Sequence, residues 1–250
     1  MKKHESVGIV GLCVGALCLT ANAQSTQTSG GTTIVTPPPS PNYNYYSYTP
    51  HAYVGASLGG TATLDASVKE FFGPISNTKV HFDPGLHVGF VGGYQLCDWF
   101  SVEGETGVYM NQIDSIDGAS FNGNGNEFVE QVPLLANVRL QWPSHGHCPV
   151  TPYVGGGLGG SISVIDFQDD ISLNGVTGNG SSADLVFAYQ AFAGLRFAVA
   201  QNIDVGVEYH YFVTTGSDWS FNNTFGTQTD RVKFGGTQTH AASVVMNFRF

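Results

Sequence analysis

The last twelve residues, Thr239 to Phe250, read THAASVVMNFRF, and every second one from the end is apolar: Phe250, Phe248, Met246, Val244 and Ala242. Between them stand Arg249, Asn247, Val245, Ser243 and Ala241, mostly polar or small. Successive side chains of a strand point to opposite faces, so one face of this segment is greasy and the other wet. The same period of two returns in seven earlier segments, and that repetition constrains the chain more than any other feature.

The first segment spans 52–63 and sets Val54, Ala56, Leu58 and Ala62 against Gly55, Ser57, Gly59 and Thr61. The second, 85–96, sets Leu86, Val88, Phe90 and Tyr94 against His87, Gly89, Val91 and Gln95. In 100–111, Phe100, Val102, Thr106, Val108 and Met110 oppose Ser101, Glu103, Glu105 and Asn111. Segments 127–142, 150–164 and 183–200 follow, and 203–212 is the cleanest, with Ile203, Val205, Val207, Tyr209 and Tyr211 against Asp204, Gly206, Glu208 and His210.

Each segment is long enough to supply the 9–11 residues that a tilted strand needs to cross a bilayer. The connections alternate long and short: loops at 64–84, 112–126, 166–182 and 213–238, tight turns at Cys97-Asp98, 143–149 and Gln201-Asn202. Long outer loops and short periplasmic turns are the habit of barrels in an outer membrane. Tyr94, Trp99, Phe100, Trp142, Phe197 and Phe250 fall near the short-turn end, as an interfacial belt should. The expected fold is all-β, an eight-stranded antiparallel up-and-down transmembrane β-barrel.

A soluble eight-stranded barrel such as a lipocalin would bury the greasy face and expose the polar one. Charges, especially Lys, would then crowd the polar face. Only 11% of the chain is charged, against roughly 25% in soluble domains, which suits a packed interior better. The 33 glycines fit a narrow lumen. A formal net charge of −10 without a basic cluster argues against nucleic acid as a partner.

Residues 1–23 read as a secretory signal peptide: Lys2 and Lys3, an apolar run from Val7 to Leu19, then Ala21-Asn22-Ala23. Residues 24–51 carry TPPPSP and NYNYYSYTP without a periodic apolar face, and read as a disordered periplasmic linker. The barrel then occupies 52–250. Loss of the leader leaves Cys97 and Cys148 in an oxidising compartment. They fall in successive turns, so a disulfide is favoured over metal ligation through His145-Gly146-His147-Cys148, with free thiols as the bland alternative.

Parity turns Glu103, Glu105, Arg139, Arg196, Asp204, Glu208, His210 and Arg249 inward. Buried charges must be paired, so Glu–Arg bridges across the lumen are expected, plugging and specifying the barrel. A catalytic carboxylate pair or an ion path is the rival reading. The run Gly155 to Gly160 matches G-x-G-x-x-G, but Ser-Ile-Ser-Val-Ile follows where a nucleotide site needs a helix. Its glycines make room for bulky neighbours. Asp114, Asp117, Asp166, Asp169 and Asp170 lack calcium-loop spacing. No metal and no cofactor is expected. His210 points inward with Ser217 out in the loop, and Ser243, three residues from His240, falls on the opposite face, so neither pair suits a hydrolase.

Leader, linker, eight alternating strands, four long loops and terminal Phe250 together make 52–250 resemble the OmpA-like and opacity-type outer-membrane barrel family. The resemblance implies residence in the cell outer membrane and contact with its lipids and lipopolysaccharide. It also implies that Phe250 is an assembly signal for the barrel-assembly machinery, and that the protein is a monomer. With nothing after Phe250, the peptidoglycan-binding domain of some relatives is not expected. The implied role is structural and adhesion-type, with the four loops contacting a surface ligand. A narrow porin-like channel is the alternative, and a lipid A-modifying enzyme a remote one.

Overall fold

The computed structural model describes residues 50–121, 127–142, 150–173, 176–221 and 231–250. The 1–23 leader, nearly all of the 24–51 segment, Cys148 and its neighbouring histidines lie outside the described residues.

Among the described residues thirteen strands follow in order. They are β1 (His51–Thr63), β2 (Ala66–Phe71), β3 (Pro74–Phe82), β4 (Gly85–Cys97), β5 (Phe100–Ile116), β6 (Ala119–Phe121) and β7 (Phe128–Gln141). After them come β8 (Val150–Leu173), β9 (Val176–Ala198), β10 (Ile203–Thr214), β11 (Asp218–Ser220), β12 (Arg231–Phe234) and β13 (Gln238–Arg249). Eight of them close a ring: β1 pairs with β4 and β13, and the circuit continues through β5, β7, β8, β9 and β10 back to β13, every pair antiparallel.

The faces follow the alternation. Val54, Leu58, Leu158, Val244 and Met246 are all half or more exposed on the outside, while His87, Ser101, Asn137, Arg139, His210 and Asn247 are buried within. A monomer in water does not carry an apolar belt of that extent. Tyr94, Trp99, Trp142, Phe197 and Phe250 are exposed at the short-turn rim. Inward glycines face large neighbours: a Cβ on Gly155 would strike the Phe192 ring, and one on Gly157 the Asn137 amide. The glycine run is thus a steric device for a lumen that eight strands make only wide enough for side chains.

In their described residues the long connections carry strands, and here the structure differs from the expectation of loops. The 64–84 stretch contains β2 and β3, and 213–238 contains β11 and β12. Within 112–126 lie the end of β5 and β6, while 166–182 is β8 and β9 running on as one hairpin. At 24 and 23 residues, β8 and β9 are far longer than a crossing requires. Above the ring, β11, β12, β2 and β3 line up on the upper part of β5.

Their inner side chains, among them Val68, Phe71, Val80, Ile113, Ile165, Trp219, Val232 and Phe234, form a buried apolar core. Trp219 donates its indole N–H to the Ser163 carbonyl at 2.8 Å and packs edge-on against Phe234 at 5.0 Å, tying this cap to β8. Phe72 holds a left-handed φ of 49° at the β2–β3 turn, a conformation bulky residues rarely take. Its ring is buried between Phe71 at 5.0 Å and Phe221 at 5.5 Å, and that packing over-determines the strained backbone. The cap is a small folded layer.

Candidate functional site: a layered lumen under a folded cap

Strand parity stacks the inward side chains in layers from the short-turn end upward. In the lowest, Arg249 donates to Asp204 at 3.1 Å and to the Gln201 carbonyl at 3.1 Å. Arg196 approaches Asp204 at 4.0 Å and donates to the Gln141 amide oxygen. One layer up, Arg139 meets Glu103 at 2.8 Å, each side chain only 3% exposed. Tyr53 donates its hydroxyl to the same Glu103 oxygen at 2.5 Å. The Arg139 guanidinium lies 4.8 Å from the Tyr53 ring and 5.3 Å from that of Tyr153, which Arg196 also faces at 5.3 Å.

Next comes a chain of amides. Glu105 accepts from Asn137 and from Gln190, both at 2.6 Å, so its partners are neutral donors. Gln190 also donates to the Asn137 oxygen at 3.1 Å, which leaves the Gln190 oxygen facing His210 Nδ1 at 3.1 Å. His210 Nε2 meets Glu208 at 2.6 Å. Both ring nitrogens therefore face acceptor oxygens. A cavity of about 30 Å³ remains between Glu105, Arg139, Glu208 and His210, room for a water molecule or two and nothing larger.

All eight inward charges named from the sequence lie on this inner surface, Arg249 at its rim. The Arg–carboxylate pairs join neighbouring staves, β5 to β7, β9 to β10 and β10 to β13, and do not cross the lumen. Several partners escaped the sequence reading: Tyr53, Tyr153, Gln141, Asn137 and Gln190. Their inward parity was the available signal. Cys97 lies half-buried at the end of β4, and its proposed partner Cys148 is outside the described residues.

Above the charges the lumen is stoppered. His87 stacks on Tyr109 at 4.3 Å, and Tyr109 on Phe212 at 4.6 Å with the rings 2° from parallel. Tyr109 belongs to β5 and Phe212 to β10, four places apart in a ring of eight, so the stack spans the full diameter. Leu135, Ala188 and Ala241 complete a buried septum around it. His87 is fixed by Ser243 at 3.0 Å. Beyond this septum lie a layer of hydrogen-bonded Thr, Asn and Gln side chains, such as Gln131 on Thr237 at 2.7 Å, and then the cap core.

On the cap surface, His81 stands between Asp65 at 3.1 Å and Asp117 at 3.3 Å, one carboxylate on each ring nitrogen. Asp117 first, then Asp65, holds the imidazole above its ordinary range. Asp117 also accepts from the Lys79 backbone N–H at 3.1 Å, so this clamp joins β3 to the β5–β6 turn.

The sequence profile of the family described as outer membrane protein beta-barrel domain matches residues 11–250. The chain belongs to that family. Its place is the cell outer membrane, and the exposed apolar belt is the surface that meets hydrocarbon. Among solved structures, the outer membrane protein OprG from Pseudomonas aeruginosa is 14% identical with a TM-score of 0.52, covering 80% of this chain and 96% of that one. Neisserial surface protein A is 16% identical with a TM-score of 0.47, covering 80% and 97%. AlkL, studied in lipid bilayers, is 14% identical with a TM-score of 0.46, covering 92% and 97%. At such identities OprG supports the barrel fold and nothing finer. No curated protein matches the chain.

Proposed function

We propose that this outer-membrane barrel is a closed scaffold whose work is done by its cap, as a structural and adhesion-type surface protein. The observation that carries this reading is the ring stack across the lumen. The buried rings of His87, Tyr109 and Phe212 occupy the diameter, and a second apolar layer lies above them. A hydrated path through the barrel would have to displace both. The Arg–Glu pairs beneath then serve as internal struts, and the cap's folded sheet offers an ordered surface for a ligand.

The narrow-channel reading keeps one observation in its favour, the small cavity among Glu105, Arg139, Glu208 and His210. Planar bilayers containing the purified protein separate the two. A closed scaffold gives no steady conductance, whereas a channel gives one that changes when Glu103, Glu105 or Arg139 is neutralised. The contact role is tested by displaying the wild-type barrel, or one with β2–β3 and β11–β12 replaced by short turns, on otherwise non-adherent cells. Adherence that survives the replacement would refute it.

A further inference from the structure

The outward wall formed by β1, β10 and β13 carries a titratable side chain with hydrogen-bonding neighbours; another outward titratable group, Glu130, lies on β7. On the outward faces of β1, β10 and β13, among the described residues, His240 is the single histidine, acid or base; the rest are apolar, small, Tyr or Gln. At the edge of the hydrocarbon such a side chain costs little, and its hydrogen-bonding groups stay free for a partner. His240 stands eight residues along β13 from Phe248, which belongs with Phe250 to the exposed short-turn belt. At roughly 3.4 Å per residue and a tilt of roughly 40°, that is about 20 Å of height. The apolar band of such barrels is about 25 Å tall, so His240 sits where the outer leaflet's hydrocarbon gives way to headgroups.

Its neighbours are arranged for hydrogen bonding. The Tyr209 hydroxyl lies 2.5 Å from His240 Nδ1, and Tyr211 donates to the Gln238 side-chain oxygen at 2.8 Å. In the tautomer where the Tyr209 hydroxyl donates to Nδ1, the ring proton sits on Nε2, because the bond one imidazole nitrogen makes sets the tautomer of the other. The Gln238 amide nitrogen is likewise left to donate. Two outward donors thus sit two residues apart on one face, about 7 Å by strand geometry. The Tyr211 and Tyr209 rings lie 5.2 and 6.0 Å from the imidazole and supply flat apolar faces.

We infer that Gln238 and His240, oriented by Tyr211 and Tyr209, form a docking site for the phosphorylated saccharide headgroup of an outer-leaflet glycolipid. Phosphate and hydroxyl oxygens accept from the two donors, and the tyrosine rings cover the sugar. An aromatic girdle alone needs neither the histidine nor its tautomer.

Native mass spectrometry of the protein from nanodiscs tests this, with diphosphoryl lipid A, dephosphorylated lipid A and phosphatidylglycerol offered in parallel. Wild type should retain diphosphoryl lipid A about five- to tenfold more than His240→Phe, the worth of one good hydrogen bond to a charged group. Tyr209→Phe, which keeps the imidazole but frees its tautomer, should fall between them. Heat-modifiable migration on gels confirms that each variant is a folded barrel. Equal retention of lipid A by wild type and His240→Phe would overturn the site. So would phosphatidylglycerol held as tightly and lost with the same substitution, since the headgroup sugar would then contribute nothing.

Discussion

Replacing Arg139 by Met removes the guanidinium and keeps the stem that packs in the lumen. Glu103 then loses its 2.8 Å ion pair and keeps the Tyr53 hydroxyl at 2.5 Å. Both partners are almost wholly buried, so the abandoned carboxylate gains at most a water or two from the adjoining small cavity. Breaking a buried pair from one side costs about 3–5 kcal/mol, most of it the stranded charge. Two contacts to Tyr53 and Tyr153 add about 1 kcal/mol to the loss. Arg196 faces the same Tyr153 ring, and relief of its repulsion with Arg139 works the other way. The expected cost is therefore about 3 kcal/mol, near the lower end of that range. Glu103→Gln keeps an acceptor for Tyr53 but strands Arg139 in turn. The double variant strands no charge, so it should be more stable than the sum of the two losses by about 2–3 kcal/mol. Urea unfolding from lipid vesicles, followed by tryptophan fluorescence, supplies all three values. A loss below about 1 kcal/mol for Arg139→Met, or simple additivity in the double variant, would refute the strut reading.

Trp219→Ala should cost the cap about 3–5 kcal/mol, exposing β2–β3 and β11–β12 to protease while the barrel keeps its heat-modifiable migration. The His81 clamp makes cap stability depend on pH. Its folded pKa is raised, so its contribution is complete below the ordinary imidazole value of about 6.5 and fades as pH rises through the higher folded value. Cap proteolysis should quicken modestly across that window, and His81→Phe should flatten the profile; the groups are a third or more exposed, so the effect is small. Alkylation of the mature protein before and after reduction, read by mass, tests the Cys97–Cys148 bond. Thiols that react fully without reductant would refute it.

The staves were legible because parity is local: residues 203–212 alternate apolar and polar side chains whatever happens elsewhere in the chain. The cap was not. Its β2 pairs with β12, which lies some 160 residues later, and no short-range signal announces such a partner. Yet Val68 and Phe71, Ile113 and Ile116, and Val232 and Phe234 are more apolar than a solvated loop tolerates, and that excess was the available clue. Polar neighbours such as Asn, Asp and Gly hid it. The charges could be placed inside from parity, but their pairing could not, because register decides which inward residues meet. The septum needed even more, since Tyr109 and Phe212 meet only when opposite walls face each other across a closed ring.

The alternation itself can be measured along β13. Single cysteines placed at 243 through 248 in a background with Cys97 and Cys148 replaced, then spin-labelled in bilayers, report collisions with oxygen dissolved in the hydrocarbon. A closed, side-chain-filled barrel requires high oxygen contact at 244, 246 and 248 and low contact with immobile labels at 243, 245 and 247. A flat profile, or the opposite phase with 245 and 247 in lipid, contradicts it.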